Sequence, residues 1–126
     1  MIYLDNAATS WPKPDVVHET LGTFLKHAGA NPGRSGHKMA IEAAGALDRT
    51  RARLAALFNA PATECVIFTL NATDSLNLAI KGIAGFYGER GNHIVTCKTE
   101  HPAVLDTCKR LERSGFEVTY LDVDAT

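Results

Sequence analysis

The stretch HIVTCKTEHPAVLDTCKRLERSGFEVTYL, residues 93–121, decides the fold. Its first five residues have the apolar and β-branched character of a buried strand, and residues 116–123 alternate in polarity as a second strand does. Between them, Pro102 opens a helical pattern that ends near Arg113, with Gly115 as the C-cap. Strand, helix and strand in this order predict a β–α–β unit with a crossover helix.

The same alternation continues upstream of this unit. The run CVIFT, residues 65–69, predicts a strand buried on both faces, and Thr73 is the predicted N-cap of the helix after it. Two earlier helices are expected, one from Asp15 and one over about 37–58, with the glycine-rich loop 29–36 between them. Three strands make an incomplete sheet, so we expect the N-terminal part of a larger α/β domain.

Charge and composition exclude several classes of protein. The 126 residues carry 13 Lys and Arg against 14 Asp and Glu, which argues against a polybasic binder of nucleic acid or of membrane surfaces. No apolar run approaches the roughly 18 residues of a membrane span, and the N-terminus lacks signal-peptide features, so a cytoplasmic location is predicted. Three cysteines at irregular spacing predict neither a disulfide framework nor a metal site, and Cys65, Cys97 and Cys108 are expected to be buried or half-buried.

The turn FTLNAT, residues 68–73, is the strongest site signal. A turn of small residues leaves the backbone N–H groups of Ala72 and Thr73 free at the positive end of a helix, where a phosphate binds well. The Thr73 hydroxyl can add a further bond. An ordinary helix cap without any ligand is the alternative, and the pattern alone leaves both open.

A second signal is His101, which follows the strand that begins at His93. An imidazole at this place can stack on a flat ring or move a proton, and a solvated loop histidine is the alternative. Ligands of α/β sheets bind beyond the carboxyl ends of strands, so the two junctions can converge on one crevice. Together they would hold a phosphorylated heteroaromatic cofactor. Neither GxGxxG nor GxxxxGK[ST] is present, so dinucleotide and P-loop sites lose support.

With these residues in view, the chain resembles the N-terminal third of the cysteine desulfurases, which are class-V, fold-type-I enzymes dependent on pyridoxal 5'-phosphate. The matching stretches are YLDNAAT (3–9), NPGRSGH (31–37), VIFTLNATDSLNLAIKG (66–82) and residues 93–121. The resemblance implies part of the fold-type-I large domain, a three-layer α/β/α arrangement with an incomplete sheet. The implied organisation is an N-terminal arm with the first helix over 1–30 and an incomplete cofactor-binding domain over 31–126.

The resemblance also implies roles for particular residues. Ala72 and Thr73 would bind the cofactor phosphate, and His101 would stack on the pyridine ring and assist proton transfer. Asn71 stands where the family more often has glycine, as in a subgroup with the LNAT form, and asparagine is expected to tolerate the same unusual backbone angles. The residues implied to lie near the substrate entrance, in part across a dimer interface, are Ala8, Thr9, Asn31, Arg34 and His37.

A serine-x-histidine-lysine sequence at Ser35–Lys38 looks like the family's Schiff-base motif, but it lies between the first two helices. Lys38 is therefore expected to be a surface lysine at a helix start. By resemblance, the Schiff-base lysine, the aspartate that pairs with the pyridine nitrogen and the nucleophilic cysteine lie beyond Thr126. The chain alone is accordingly expected to be inactive.

For the complete enzyme, the resemblance implies conversion of L-cysteine to L-alanine, with the sulfur held as a cysteine persulfide. It further implies a cytoplasmic homodimer that passes sulfur to an acceptor protein in iron–sulfur cluster assembly, without nucleic-acid or membrane partners. Two alternatives stay open. One is another class-V enzyme, such as a selenocysteine lyase or an aminotransferase, and the other is a non-catalytic, truncated phosphate-binding module.

Overall fold

The computed structural model describes residues 2–33 and 36–124 of the chain. Backbone contacts group the chain into two units, Met1–Val66 and Ile67–Thr126. The predicted domain boundary after residue 30 is not tested by this grouping and stays a prediction.

The first unit contains two helices and a short helical turn. Helix α1 covers Asp15–His27, helix α2 covers Lys38–Leu57, and a single 3-10 turn lies at Thr63–Cys65. Helix α2 begins after His37, whose ring Nδ1 accepts the N–H of Ala40 at 3.3 Å. This bond satisfies one of the amides that a helix N-terminus leaves without an intrahelical partner, and it fixes where α2 starts. Both helices lie close to their predicted ranges.

The second unit is a β–α–β unit with one helix before it. Helix α3 covers Ala72–Tyr87, strand β1 His93–Cys97, helix α4 Pro102–Glu112 and strand β2 Glu117–Leu121. The two strands pair in parallel, with His93 opposite Glu117 and Cys97 opposite Leu121, and α4 connects them. A parallel pair cannot be joined by a tight hairpin, which is why a crossover of this length is needed. The α/β class predicted from the sequence is confirmed.

Helix α4 contributes most of the buried side chains of this unit. Ala103, Thr107 and Leu111 are buried and recur at four-residue spacing, so they share one helix face, and Cys108 is buried beside them. This helix packs against α3 and against β2. Gly115, at a φ of +95°, turns the chain from α4 into β2 in a conformation that glycine adopts without strain.

The strand predicted over Cys65–Thr69 is wrong. The structure has the end of the 3-10 turn at Cys65 and no regular structure from Val66 to Thr69. Ile67 is 68% exposed rather than buried. Apolar and β-branched residues predict a strand only where a neighbouring strand can pair with them, and the described sheet consists of β1 and β2 alone.

Large apolar side chains are exposed on the second unit. They include Leu78, Ile83 and Phe86 of α3, Val95 of β1, and Leu70, which is 89% exposed. Exposed apolar surface on this scale is typical of faces that pack against further protein. None of the described helices combines the length and the apolar character needed to cross a membrane.

Candidate functional site

The N-terminus of α3 is capped by Asn71 and not, as predicted, by Thr73. The side-chain Oδ1 of Asn71 accepts the N–H of Asp74 at 2.9 Å, and the Asp74 carboxylate accepts the N–H of Leu70 at 3.4 Å. The two side chains thus satisfy backbone donors on either side of the helix start, in the manner of a capping box. Helix α3 therefore begins one residue before its predicted cap, at Ala72.

Further side chains tie the turn that leads into α3. The Thr69 hydroxyl donates to the carbonyl oxygen of Asn71 at 3.1 Å and also contacts the hydroxyl of Ser75. Asn71 has extended backbone angles, with φ −163° and ψ 176°. The expectation that this position needs unusual backbone angles is therefore wrong, and the asparagine acts through its side chain.

This capping pattern leaves two donors at the start of α3. The side chain of Asn71 accepts the N–H of Asp74, and the Asn71 carbonyl oxygen accepts the N–H of Ser75. Among the residues that the structure describes, none accepts a hydrogen bond from the N–H of Ala72 or Thr73. Two adjacent amides at the positive end of a 16-residue helix form an arrangement that binds anions.

The N-terminus of α4 has no comparable donors. Its first residue, Pro102, has no N–H, and the N–H of Ala103 is taken by Nδ1 of His101 at 3.1 Å. The N–H of Val104 is bonded to the His101 carbonyl oxygen at 2.8 Å. Of the two junctions, only the one at α3 therefore offers backbone groups to an anion, while the junction at α4 offers a side chain.

That side chain is the imidazole of His101, which is exposed. Because Nδ1 accepts a backbone N–H, it carries a lone pair, and the proton of the neutral ring lies on Nε2. The same bond holds the ring against the first turn of α4. A fixed, exposed imidazole can stack on a planar ligand and can donate a hydrogen bond from Nε2–H.

The two junctions share one cleft between α3 and α4, with a volume of about 420 Å³. Thr73 and His101 both line it, so the convergence expected from the sequence is present in the structure. Lys81 and Asp106 lie further along the same cleft, and Asp106 pairs with Lys109 at 3.1 Å. The complete lining consists of Thr73, Asn77, Lys81, His101, Pro102, Ala103, Asp106 and Thr107.

Two lining residues, Asn77 and Thr107, were not singled out from the sequence. Their side chains lie 2.9 Å apart, oxygen to oxygen, and link α3 to α4. A polar residue on an otherwise apolar helix face is the signal that points to such pairs.

The predicted substrate-side residues lie in the first unit, apart from Arg34, which is outside the described residues. Ala8 and Thr9 belong to an N-terminal turn in which their amides bond to the Asp5 carbonyl oxygen. Asn31 accepts the N–H of Gly33 at 2.9 Å, and His37 caps α2. These contacts define local turns, and a role toward substrate stays a prediction.

The remaining candidates for chemistry are surface or packing residues. Lys38 lies in the first turn of α2 with its side chain 88% exposed, 3.9 Å from Glu42, as expected for a surface lysine. Cys65 is exposed, so the expected burial is wrong there, while Cys97 is half-buried and Cys108 is buried. Burial raises the pKa of the Cys108 thiol, and the carboxylates of Glu112 and Glu100 raise this pKa further. A reactive thiol needs a lowered pKa, so Cys108 is a packing residue.

Comparison with known proteins agrees with this fold. The family model for class-V aminotransferases matches residues 2–126. The chain belongs to the class-V aminotransferase family.

Its relatives within that family include cysteine desulfurases. The cysteine desulfurase IscS of Colwellia psychrerythraea is 50% identical over 123 residues, which are 96% of this chain and 30% of that protein. The IscS of Mannheimia succiniciproducens is 52% identical over 122 residues, covering 95% of this chain and 30% of that protein. The chain thus spans about 30% of the length of these relatives.

Solved structures show the same likeness. A NifS-like protein matches with a TM-score of 0.81 and 34% identity, over 95% of this chain and 32% of that chain. SspA in complex with cysteine matches with a TM-score of 0.76 and 38% identity, over 90% of this chain and 32% of that chain.

Proposed function

We propose that this chain is the N-terminal segment of a pyridoxal-phosphate-dependent cysteine desulfurase and that it holds both ends of the cofactor. One observation carries the proposal. Thr73, whose backbone N–H is unpaired, lines the same cleft as His101, and Ala72 with the adjacent unpaired N–H directly precedes Thr73. A phosphorylated pyridine offers two features to a binding site, the phosphate anion and the flat ring. Backbone amides suit the first, and an imidazole suits the second.

The residues fit the phosphate end of the cofactor. Ala72 and Thr73 each direct a backbone N–H outward from the first turn of α3, and the Thr73 hydroxyl stands on the same turn. Hydrogen bonds to an ionised acceptor are about twice as strong as neutral ones. The cap formed by Asn71 and Asp74 holds the turn in this shape before any ligand arrives, so little ordering is needed on binding.

The residues also fit the ring end. The bond from the Ala103 N–H to Nδ1 keeps the His101 imidazole in place and leaves its face for stacking. Nε2–H is left to donate a hydrogen bond to a bound ligand, and the proton transfer that the family resemblance implies for His101 is part of the proposal. When bound, the pyridine ring of pyridoxal phosphate supplies the electron-withdrawing group on which this chemistry depends.

The substrate in this proposal is L-cysteine, which becomes L-alanine while the sulfur passes to an enzyme cysteine. Cysteine desulfurases among the relatives and the cysteine bound to SspA support this choice. Ala8, Thr9, Asn31, Arg34 and His37 are assigned to the substrate side. A cytoplasmic homodimer, a sulfur-acceptor protein and a place in iron–sulfur cluster assembly complete the proposal, and the likeness to IscS proteins supports them.

The experiment that tests the phosphate site is the variant Ala72→Pro in the full-length gene product that carries these residues. Proline fits the first position of a helix, and the extended backbone of Asn71 suits a residue before proline. The variant therefore removes one N–H without disturbing α3. We expect affinity for pyridoxal phosphate to fall about ten- to hundredfold, because a charge-assisted bond is lost.

Two controls separate the loss of phosphate binding from a general loss of cofactor affinity. Pyridoxal, which lacks the phosphate, should bind Ala72→Pro as well as it binds the unaltered protein. Lys38→Pro places proline at the first position of α2, also after an extended residue, and should leave binding of both ligands unchanged. An equal loss of pyridoxal and pyridoxal phosphate in Ala72→Pro contradicts the proposed phosphate site.

A further inference from the structure

Thr107 is the one polar side chain found buried among the described residues, with 3% of its surface exposed. Its single hydroxyl proton is shared between two acceptors, Oδ1 of Asn77 on α3 at 2.9 Å and the carbonyl oxygen of Ala103 on its own helix at 2.8 Å. The contact with Ala103 lies within α4, so only the contact with Asn77 depends on how α3 and α4 are aligned.

The contact belongs to a longer series of hydrogen bonds. Asn77 Nδ2 donates to the carbonyl oxygen of Thr73 at 3.0 Å, and the N–H of Ala103 donates to the ring of His101 at 3.1 Å. The Thr107 hydroxyl lies in the middle of this series. On one side the series leads through Asn77 to the first turn of α3, and on the other it leads through the backbone of Ala103 to the His101 imidazole. Both ends of the series are residues of the proposed cofactor site.

Apolar packing between two helices does not impose such an alignment by itself, because the hydrophobic effect is not directional. A hydrogen bond has a preferred length and angle, so it selects one position of α3 along α4. That position determines how far the Thr73 amide lies from the His101 ring.

We propose that Asn77 and Thr107 are positioning residues that set the spacing between the phosphate-binding amides and the stacking imidazole. This inference rests on the proposed function, because it assigns these residues to the binding of the same cofactor. They act through Thr73 and His101 and need not touch the cofactor themselves.

The test uses the full-length gene product with Thr107→Val, which keeps the shape of the side chain and removes the hydroxyl. We expect pyridoxal phosphate to bind about three- to tenfold more weakly, as for loss of one hydrogen bond. The visible circular dichroism per bound cofactor should also fall, since it reports how the ring is oriented. Thr107→Ser, which keeps the hydroxyl, should restore both readouts.

Thr50→Val is the matched control. The Thr50 hydroxyl also bonds to the carbonyl oxygen four residues earlier, at 2.8 Å, but among the described residues no hydrogen bond joins it to another helix. This variant should retain the affinity and the dichroism of the unaltered protein. Asn77→Ala removes the same bond from the α3 side and also the bond to Thr73, so its effect should be at least as large as that of Thr107→Val, and the double variant should be no worse than Asn77→Ala alone.

The inference is overturned if Thr107→Val binds pyridoxal phosphate with unaltered affinity and dichroism, if Thr107→Ser behaves like Thr107→Val, or if the effects of the two positions add. Failure of the unaltered protein to bind pyridoxal phosphate would instead overturn the proposed function, and this inference with it. Binding by the unaltered protein together with no change in Thr107→Val overturns the positioning role alone.

Discussion

The side chain of Asn71 caps α3 by accepting the Asp74 N–H at 2.9 Å. The Asp74 carboxylate in turn accepts the Leu70 N–H at 3.4 Å. This pairing satisfies the third amide of the helix and leaves the first two, those of Ala72 and Thr73, for a ligand. The cap therefore determines both where α3 starts and which donors face an anion.

Asn71→Ala is expected to destabilise the protein by about 1 kcal/mol, because the side-chain cap of α3 is lost. The measurement is urea unfolding of the full-length gene product. Asn71→Ser keeps a capping oxygen and should stay within a few tenths of a kcal/mol of the unaltered protein. Equal urea midpoints for the alanine variant and the unaltered protein would show that the cap does not contribute to stability.

Two variants of His101 should separate its role as the N-cap of α4 from the stacking of its ring on the cofactor. His101→Asn keeps an oxygen that can accept the Ala103 N–H but has no ring, so pyridoxal phosphate should bind about tenfold more weakly. His101→Phe keeps a flat ring but cannot accept that N–H or hold a proton. It should retain most of the binding and lose most of the turnover of L-cysteine. Weaker binding in the phenylalanine variant than in the asparagine variant would argue against stacking.

Cys108 is expected to resist alkylation in the folded protein. Its thiol is buried, and desolvation together with the Glu112 and Glu100 carboxylates raises its pKa, so little thiolate forms near neutral pH. Iodoacetamide treatment followed by peptide mass spectrometry should find Cys108 unmodified until urea is added. Rapid labelling of Cys108 without denaturant would contradict its assignment as a packing residue.

Stability is expected to fall as the pH rises above about 9. The pKa of Cys108 is raised above 9.0 by burial and neighbouring charges, and the pKa of Tyr120 is raised above 10.0 by desolvation and by its hydrogen bond to Glu112. The folded state thus keeps protons that the unfolded state has already released, and stability is lost as the pH rises through the raised values.

Urea midpoints measured from neutral to alkaline pH test this dependence. Tyr120→Phe removes one of the two groups, so the fall above about pH 10 should be shallower in this variant than in the unaltered protein. A stability that rises with pH above 10.0 would contradict the direction of both shifts.

The elements that could be predicted from the sequence are those with local signals. Strand β1 was predicted over His93–Cys97 and lies there, and Asp15 begins α1 as expected. The strand predicted over Cys65–Thr69 failed because strand pairing is a long-range property. Its apolar residues are suited to a sheet, but the described residues provide no strand beside them.

The sequence predicts the part of the candidate site that consists of two backbone amides and an imidazole ring. The free N–H groups of Ala72 and Thr73 follow from a small-residue turn before a helix, and His101 follows from its place after a strand. The prediction of Thr73 as the cap is wrong because Asn71 and Asp74 satisfy the backbone donors on both sides of the turn, and a single cap position does not reveal such a pair. The bond between Thr107 and Asn77 joins residues 30 positions apart, and no local pattern predicts which helix faces meet.

The most direct test of the account is an experimental structure of the full-length gene product with pyridoxal phosphate bound. We predict that phosphate oxygens lie about 3 Å from the backbone nitrogens of Ala72 and Thr73, with the His101 imidazole stacked on the pyridine ring. A phosphate held away from the start of α3, or an imidazole that turns away from the ring, would contradict the central claim.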